Sequence, residues 1–283
     1  MPLGLHSVKK IPVVEERTSY MSPIPNLKHY IRRLTSLSTA SYLDLLEDCL
    51  TGTIYKDRPF TVFGALEYDQ NIRESGLDWP SVAHTMIGRK RLKQLRLACE
   101  DVLVRGIRGD FVEAGVWRGG ASILMRGVLA AYRVENRKVW LFDSFSGLPA
   151  PSLEFPQDKN SNFHEFDELS VSLEQVKHNF ASYKLLDPNV VFVEGWFKDT
   201  MPQAQVKKIA LLRLDGDLYE STIQSLEQLY PKVSLGGCVI VDDYHVVPQC
   251  KQAVHDFLNK KCLQPDIQEI DGVGVFWRKQ SEK

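Results

Sequence analysis

Two stretches of this chain run from apolar residues straight into carboxylates: LLRLDGD at 211–217 and CVIVDDYH at 238–245. They supply Asp215, Asp217, Asp242 and Asp243, and three more acids follow apolar runs elsewhere: Glu113 in GDFVEAGV, Asp143 in KVWLFDSF and Glu194 in NVVFVEG. Carboxylates gathered in one place repel one another unless something cationic sits among them. An all-oxygen set suits a hard cation, and a site that leaves positions for water or substrate suits Mg²⁺ best. Asp215, Asp242 and Asp243 are therefore the expected metal ligands, provided their two strands pair side by side. The competing reading is helix capping, because Asp217 precedes a helix expected from Tyr219 and Asp243 precedes one expected near Pro248. Capping does not account for all four.

The stretch EAGVWRGG (113–120) could hold a second ligand. Gly115 would let a ligand approach the backbone, and Gly119 and Gly120 lead into a helix expected near Ser122. This is not the Gly-x-Gly-x-x-Gly fingerprint of dinucleotide sites. An acid in place of phosphate-cradling amides suits a ligand that carries an ammonium and no pyrophosphate. Asp143 lies 24 positions beyond Gly119, where a ribose-binding carboxylate is expected in nucleotide-type folds. The combination suggests S-adenosylmethionine, with Glu113 toward its amino end, Asp143 toward its ribose, and Gly195 and Trp196 toward its adenine. The plainer reading of the turn is tight strand–helix packing. Trp117 and Trp196 could be core aromatics or stacking faces, Trp196 being the better stacking candidate.

The elements that must position these residues are legible from periodicity. Five short apolar runs between residues 109 and 243 alternate with amphipathic stretches. SLEQVKHNFASY (172–183) opens on a Ser172–Gln175 capping-box pattern, and the stretch from Tyr219 to Tyr230 stops at Pro231. Nearly all-apolar strands at such spacing imply right-handed βαβ crossovers and a parallel sheet covered on both faces. IQEI and GVGVFWRK read as a final hairpin-linked pair of strands. Ligands of such sheets bind at the carboxyl ends of the strands, where the acids cluster. The expected organisation is an arm over 1–25, a helical cap over 26–106 interrupted at 69–84, and a sheet domain over 107–283. The long irregular connection from Ser144 to Leu169 is of a length usually tied to function.

Composition narrows the class. A formal net charge of −1 gives no reason to expect nucleic acid or an anionic membrane surface as partner. The one basic cluster, RKRLKQLR at 89–96, spaces its apolar residues helically, so its charges read as the wet face of a helix rather than a phosphate-binding patch. Five Cys without a CxxC pair argue against a disulfide framework or zinc site and fit a reducing cytoplasm. No stretch approaches membrane-spanning length, so a soluble cytoplasmic protein is expected. The arm and cap are the surfaces a homo-oligomer would use.

EAGVWRGGAS, LFDSFSGLP, EGWFKDTMP, LLRLDGDLYEST, GGCVIVDDY, GVGVFWRK and WPSVAHTMIGRKRL closely resemble the macrocin O-methyltransferase (TylF/MycF) family over roughly residues 41–279. The resemblance implies a Mg²⁺-dependent, S-adenosylmethionine-dependent methyltransferase acting on a sugar hydroxyl of a natural product. It implies a Rossmann-like class I methyltransferase fold, an α/β doubly wound, mostly parallel sheet with an N-terminal helical cap. Asp215, Asp242 and Asp243 match the family's metal ligands, and Asp217 sits where a catalytic base is placed in relatives. His164 falls in the long loop that relatives fold over the acceptor, and Trp79, Thr85 and Met86 match cap positions near the cofactor or acceptor. FGALEYDQ (63–70) has no clear counterpart, which leaves the acceptor, a small-molecule glycoside or other diol, unassigned.

A sugar hydroxyl ionises far above neutrality, so its methylation needs a metal to acidify it and a base to take its proton. Asp217 and His164 are both candidates; His164 has the better unperturbed pKa, whereas Asp217 depends on the metal-bound alcohol's own acidity. His164 also reads as an ordinary surface residue, and His245 as a loop or helix-start residue. His84 reads as packed in the cap, and His178 and His255 as structural. The chief alternative is a metal-dependent glycosyltransferase using Asp215-Gly216-Asp217, which would need a pyrophosphate site that the Glu113 turn does not offer.

Overall fold

The computed structural model describes residues 27–60 and 67–280, with side chains from Ser38 onward. The arm expected over 1–25 lies outside them, as does half of the 63–70 stretch. Thr39–Lys283 forms one compact unit, which helix α1 (Leu27–Leu50) joins at Thr39. α2 (Gln70–Ser75) and α3 (Gly88–Val104) follow, then the alternation β1 (Asp110–Ala114), α4 (Gly120–Ala131), β2 (Val139–Asp143), α5 (Leu173–Ser182), β3 (Val190–Glu194), α6 (Phe197–Thr200), β4 (Ile209–Leu214), α7 (Tyr219–Leu229), β5 (Val233–Val241) and α8 (Pro248–Lys260). β6 (Gln268–Glu269) and β7 (Val275–Arg278) close the chain.

The strands lie in the order β3-β2-β1-β4-β5-β7-β6, with β1 to β5 parallel and β7 antiparallel to β5. This is the expected doubly wound, mostly parallel sheet, and the tail forms the expected antiparallel pair. β1 and β4 are buried almost throughout because helices cover both faces, which is why their sequences are apolar runs rather than alternations. Phe111, Leu141, Leu211 and Ile240 face α3, α4 and α5, packing with Leu95, Met125 and Phe180. Their neighbours Val112, Phe142, Leu212 and Val239 face α7 and α8, packing with Leu226 and Phe257. The order reverses between β1 and β4, so their carboxyl ends form the switch-point crevice.

Local signals account for several boundaries. Ser172 accepts a hydrogen bond from the Gln175 N–H (3.2 Å) at the start of α5, while the Gln175 side chain turns to Asn179. In the 69–84 connection the chain makes one short helix, α2, with the Asp69 carboxylate accepting from the Asn71 and Ile72 amides and Gly76 ending it at φ 62°. Gly76 and Gly88 lie back to back: a Cβ on Gly88 would stand 2.2 Å from the Gly76 nitrogen.

The basic cluster on α3 is not simply a wet face. Arg91 and Arg96 are buried, only 6% and 8% exposed, while Lys90 and Lys93 remain in solvent. Arg96 reaches Asp44, Glu47 and Glu100, and Arg91 reaches Asp242 and Asp271. Helical spacing marks the apolar stripe, but it cannot show that flanking long side chains will meet carboxylates on other elements and be buried with them.

Candidate active site

A cavity of about 480 Å³ opens at the switch point, between the carboxyl ends of β1, β2, β4 and β5. The cap segment contributes Trp79 and His84 to Ile87, and the 144–169 loop contributes Leu148, Phe163 and Leu169. Gly115 (φ 86°) is where β1 and β4 come closest: a Cβ there would sit 1.8 Å from the Asp215 carbonyl oxygen. Its glycine is thus required by the approach of two backbones, with or without a ligand.

Two arginines stand among the carboxylates. Glu113 and Arg213 are direct cross-strand partners in the β1–β4 register, so their side chains share a face. Arg213, 1% exposed, donates to Glu113 Oε1 (2.6 Å), Asp215 Oδ2 (2.7 Å) and Asp242 Oδ1 (2.5 Å). Arg91 donates from α3 to the other Asp242 oxygen, Oδ2, to Asp271 Oδ2 (3.1 Å) and to the Gly76 carbonyl (3.1 Å). Part of the positive charge that the acidic edge demanded is therefore internal. Glu194, which also ends a strand, is exposed and lies outside this group.

Two guanidinium groups do not balance the remainder. Burial opposes ionisation of Asp242, yet Arg91 and Arg213 outweigh it and hold this carboxyl below its ordinary range. Elsewhere burial wins: it raises Glu113 to about 7 against Arg213, and Asp215 to about 6. Burial, then Asp215 and Asp242, push Asp217 up to about 8. Burial, then Asp217 and Asp215, push Asp243 well above the usual carboxylate range. Asp215, Asp242 and Asp243 each offer an oxygen, all within 4.8 Å of one another, and Asp243 Oδ2 is buried without a hydrogen-bond partner among the described residues. Converging hard oxygens, excess negative charge and an orphaned acceptor fit a divalent cation such as Mg²⁺.

The capping alternative fails for both helices. Asp158, from the long loop, caps α7: its Oδ1 and Oδ2 accept from the Tyr219 (2.8 Å) and Glu220 (2.9 Å) amides. Asp217 is left on the cavity wall in the left-handed region, at φ 57°. The residue flanking the start of α8 is Val247, without a side-chain cap, and Asp243 offers that turn only its backbone carbonyl.

Asp143 accepts from the Val116 (2.6 Å) and Phe145 (2.7 Å) amides, which fixes its carboxylate at the end of β2. Glu113, Gly115, Asp143, Trp196, Thr85 and Met86 all line the cavity, as do Asp215, Asp217, Asp242 and Asp243. Four expected site residues do not. Gly119 turns against Val176 and Phe180, so Gly120 lines the cavity in its place. Ser122 is fully buried and donates its hydroxyl to Glu113 Oε2. Gly195 packs against Thr200, and His164 is exposed on a short 3-10 turn whose inward residue is Phe163. One residue of offset in a turn reverses which side chain faces inward, and sequence spacing alone does not resolve that. Trp117 lines the cavity too, its indole N–H donating to the Glu168 carbonyl (2.8 Å).

The sequence reading missed Arg91, Arg213 and Asp158. Their signals were present as an Arg inside an apolar strand, an Arg in a helical basic run and an Asp in a long loop, but each acquires meaning only from partners far away in sequence. His84 does more than pack: its Nδ1 lies 2.8 Å from the Tyr183 hydroxyl, and its carbonyl accepts from the Gly120 amide.

The family model described as macrocin-O-methyltransferase (TylF) matches residues 59–279. The chain belongs to this family. It is 50% identical over 242 residues, 84% of this chain and 92% of the relative, to 8-demethyl-8-(2,3-dimethoxy-alpha-L-rhamnosyl)-tetracenomycin-C 4'-O-methyltransferase of Streptomyces olivaceus. It is 45% identical over 246 residues, 85% and 96% of the two chains, to mycinamicin III 3''-O-methyltransferase of Micromonospora griseorubida. Among solved structures, the O-methyltransferase NovP superposes with a TM-score of 0.83 at 47% identity, covering 86% of this chain and 100% of NovP. The chain is an O-methyltransferase with the class I methyltransferase fold. The glycosyltransferase alternative falls with this assignment.

Proposed function

We propose that this family member transfers a methyl group from S-adenosylmethionine to a sugar hydroxyl of a glycosylated natural product, with Mg²⁺ held by Asp215, Asp242 and Asp243. The observation that carries the reading is one cavity lined both by a converging, over-acidic aspartate cluster and by Glu113 and Asp143. The relatives named for tetracenomycin and mycinamicin methylation support a sugar-bearing acceptor.

The donor, when bound, supplies an electrophilic methyl on a sulfonium, and the metal supplies a Lewis acid that makes a neighbouring alcohol more acidic. The chain's own residues do the remainder. Glu113 offers a buried carboxylate to the donor's ammonium, and Asp143 offers its remaining lone pairs to ribose hydroxyls. The indole of Trp196, 39% exposed on the cavity rim, offers a face to the adenine. Thr85 and Met86 close the cap side, consistent with residues 26–106 serving as the cap.

Asp217 is the base. Burial and the negative charge of Asp215 and Asp242 push Asp217 up to about 8, which makes its ionised form a stronger proton acceptor than an ordinary carboxylate; a cation on Asp215 and Asp242 would offset their charge and favour that ionised form. Its place on the cavity wall favours it over the exposed His164. The apolar loop residues Leu148, Phe163 and Leu169 would exclude water above the acceptor.

Calorimetric titration of S-adenosylhomocysteine with Mg²⁺ and then with EDTA tests the reading. Binding that survives EDTA is expected, since donor and metal would be held by different residues; absence of binding in both conditions would overturn it.

A further inference from the structure

We infer that Arg213 is a positioning residue for donor and metal alike, holding the donor-binding candidate Glu113 and the metal-ligand candidates Asp215 and Asp242 in one fixed frame. The inference rests on the functional reading above and adds a residue that neither binds nor reacts in it. Nη1 donates to Glu113 Oε1 (2.6 Å) and to Asp215 Oδ2 (2.7 Å), and Nη2 donates to Asp242 Oδ1 (2.5 Å). The guanidinium is 1% exposed and cannot swing into solvent.

Two of the three carboxylates, Glu113 and Asp242, have a second hold. Ser122 donates to the free oxygen of Glu113, and Arg91 donates to the free oxygen of Asp242. Among the described residues, Arg213 alone donates to Glu113 and also to acids of the metal cluster. Ser122 donates to Glu113 and not to that cluster, and Arg91 to Asp242 and not to Glu113.

The planar fork is what makes this geometry available. Lysine keeps the charge but concentrates it at one atom, and a single ammonium on a flexible stem cannot hold three carboxylates along a rigid plane. Arg213→Lys should therefore loosen two ligand sites that share no ligand, whereas the other variants should each affect one. Glu113→Gln should weaken S-adenosylhomocysteine and spare the metal. Arg91→Lys should weaken the metal and spare S-adenosylhomocysteine.

The experiment is calorimetric titration of S-adenosylhomocysteine and, separately, of Mn²⁺ and Mg²⁺ into wild type and these three variants, each checked for a cooperative thermal transition. Weakening of both probes by about tenfold or more (about 1.4 kcal/mol each) in Arg213→Lys supports the inference. Weakening of only one, or of neither, in folded protein overturns it, because a merely structural arginine would lower the midpoint of unfolding without this split. Should Arg213→Lys fail to fold, the charge-balanced pair Arg213→Gln with Glu113→Gln replaces it. That double variant should lose metal affinity that Glu113→Gln alone retains; equal metal affinity in the two would overturn the inference. Wild type that binds neither probe overturns the functional reading, and this inference with it.

Discussion

Asp217 has its proton affinity set by its surroundings: a buried wall, two neighbouring aspartates and a backbone held at φ 57° by the strand-to-helix turn. Replacing it with Asn removes the base and leaves the shape, so kcat should fall by roughly 10²–10⁴-fold with S-adenosylhomocysteine affinity unchanged. A fall of similar size in His164→Asn instead would move the base to the loop. Asp215→Asn should abolish turnover and metal affinity while donor binding persists; undiminished turnover in that variant would remove the metal from the reaction. These acids were visible as strand ends before any coordinates. What could not be seen is that Asp158, 59 positions before Asp217, takes over the cap of α7 and so leaves Asp217 available.

At the scale of elements, a few polar contacts tie the long loop and the cap to the sheet domain. Asp158→Ala removes both acceptors at the start of α7 and should lower stability by about 1 kcal/mol, read as a drop in the thermal midpoint. Turnover should fall further than stability, because the same loop carries Phe163 and Leu169 on the cavity wall. The cap segment meets α5 through His84 and Tyr183, whose rings also stand edge-on at 5.3 Å. Burial, with Arg118 adding to it, depresses His84 from 6.5 to about 4. The folded form thus resists a proton that the unfolded chain accepts, so this contribution is full above about 6.5 and is lost as pH falls toward 4. The wild-type midpoint should therefore drop between pH 7 and pH 4.5 by more than that of His84→Gln; equal drops would show that other groups carry the acid sensitivity.

For the whole molecule, the aspartate cluster makes stability depend on its counter-ion. A cation that binds only the folded chain stabilises it by mass action, about 2.7 kcal/mol at a hundredfold excess over its dissociation constant. Mg²⁺ should raise the thermal midpoint of wild type by several degrees, and Asp215→Asn should abolish the rise. No helix among the described residues is long and apolar enough to cross a membrane.

The sequence by itself determined the strands, their crossovers and the acidic carboxyl edge. Apolar runs of strand length, spaced by amphipathic helices, admit few arrangements other than a covered parallel sheet. It also set Asp215, Asp242 and Asp243 at strand ends. Only the tertiary structure decided that β4 and β5 pair and bring those three together, which residues of the Gly119–Ser122 and Gly195–Trp196 stretches face the cavity, and that His164 faces away. Those outcomes hang on strand order and on the orientation of single residues at turns and a helix start, which no sequence period specifies. It also decided that Arg213 and Arg91 lie among the carboxylates, since an arginine is buried only where distant acids converge to receive it.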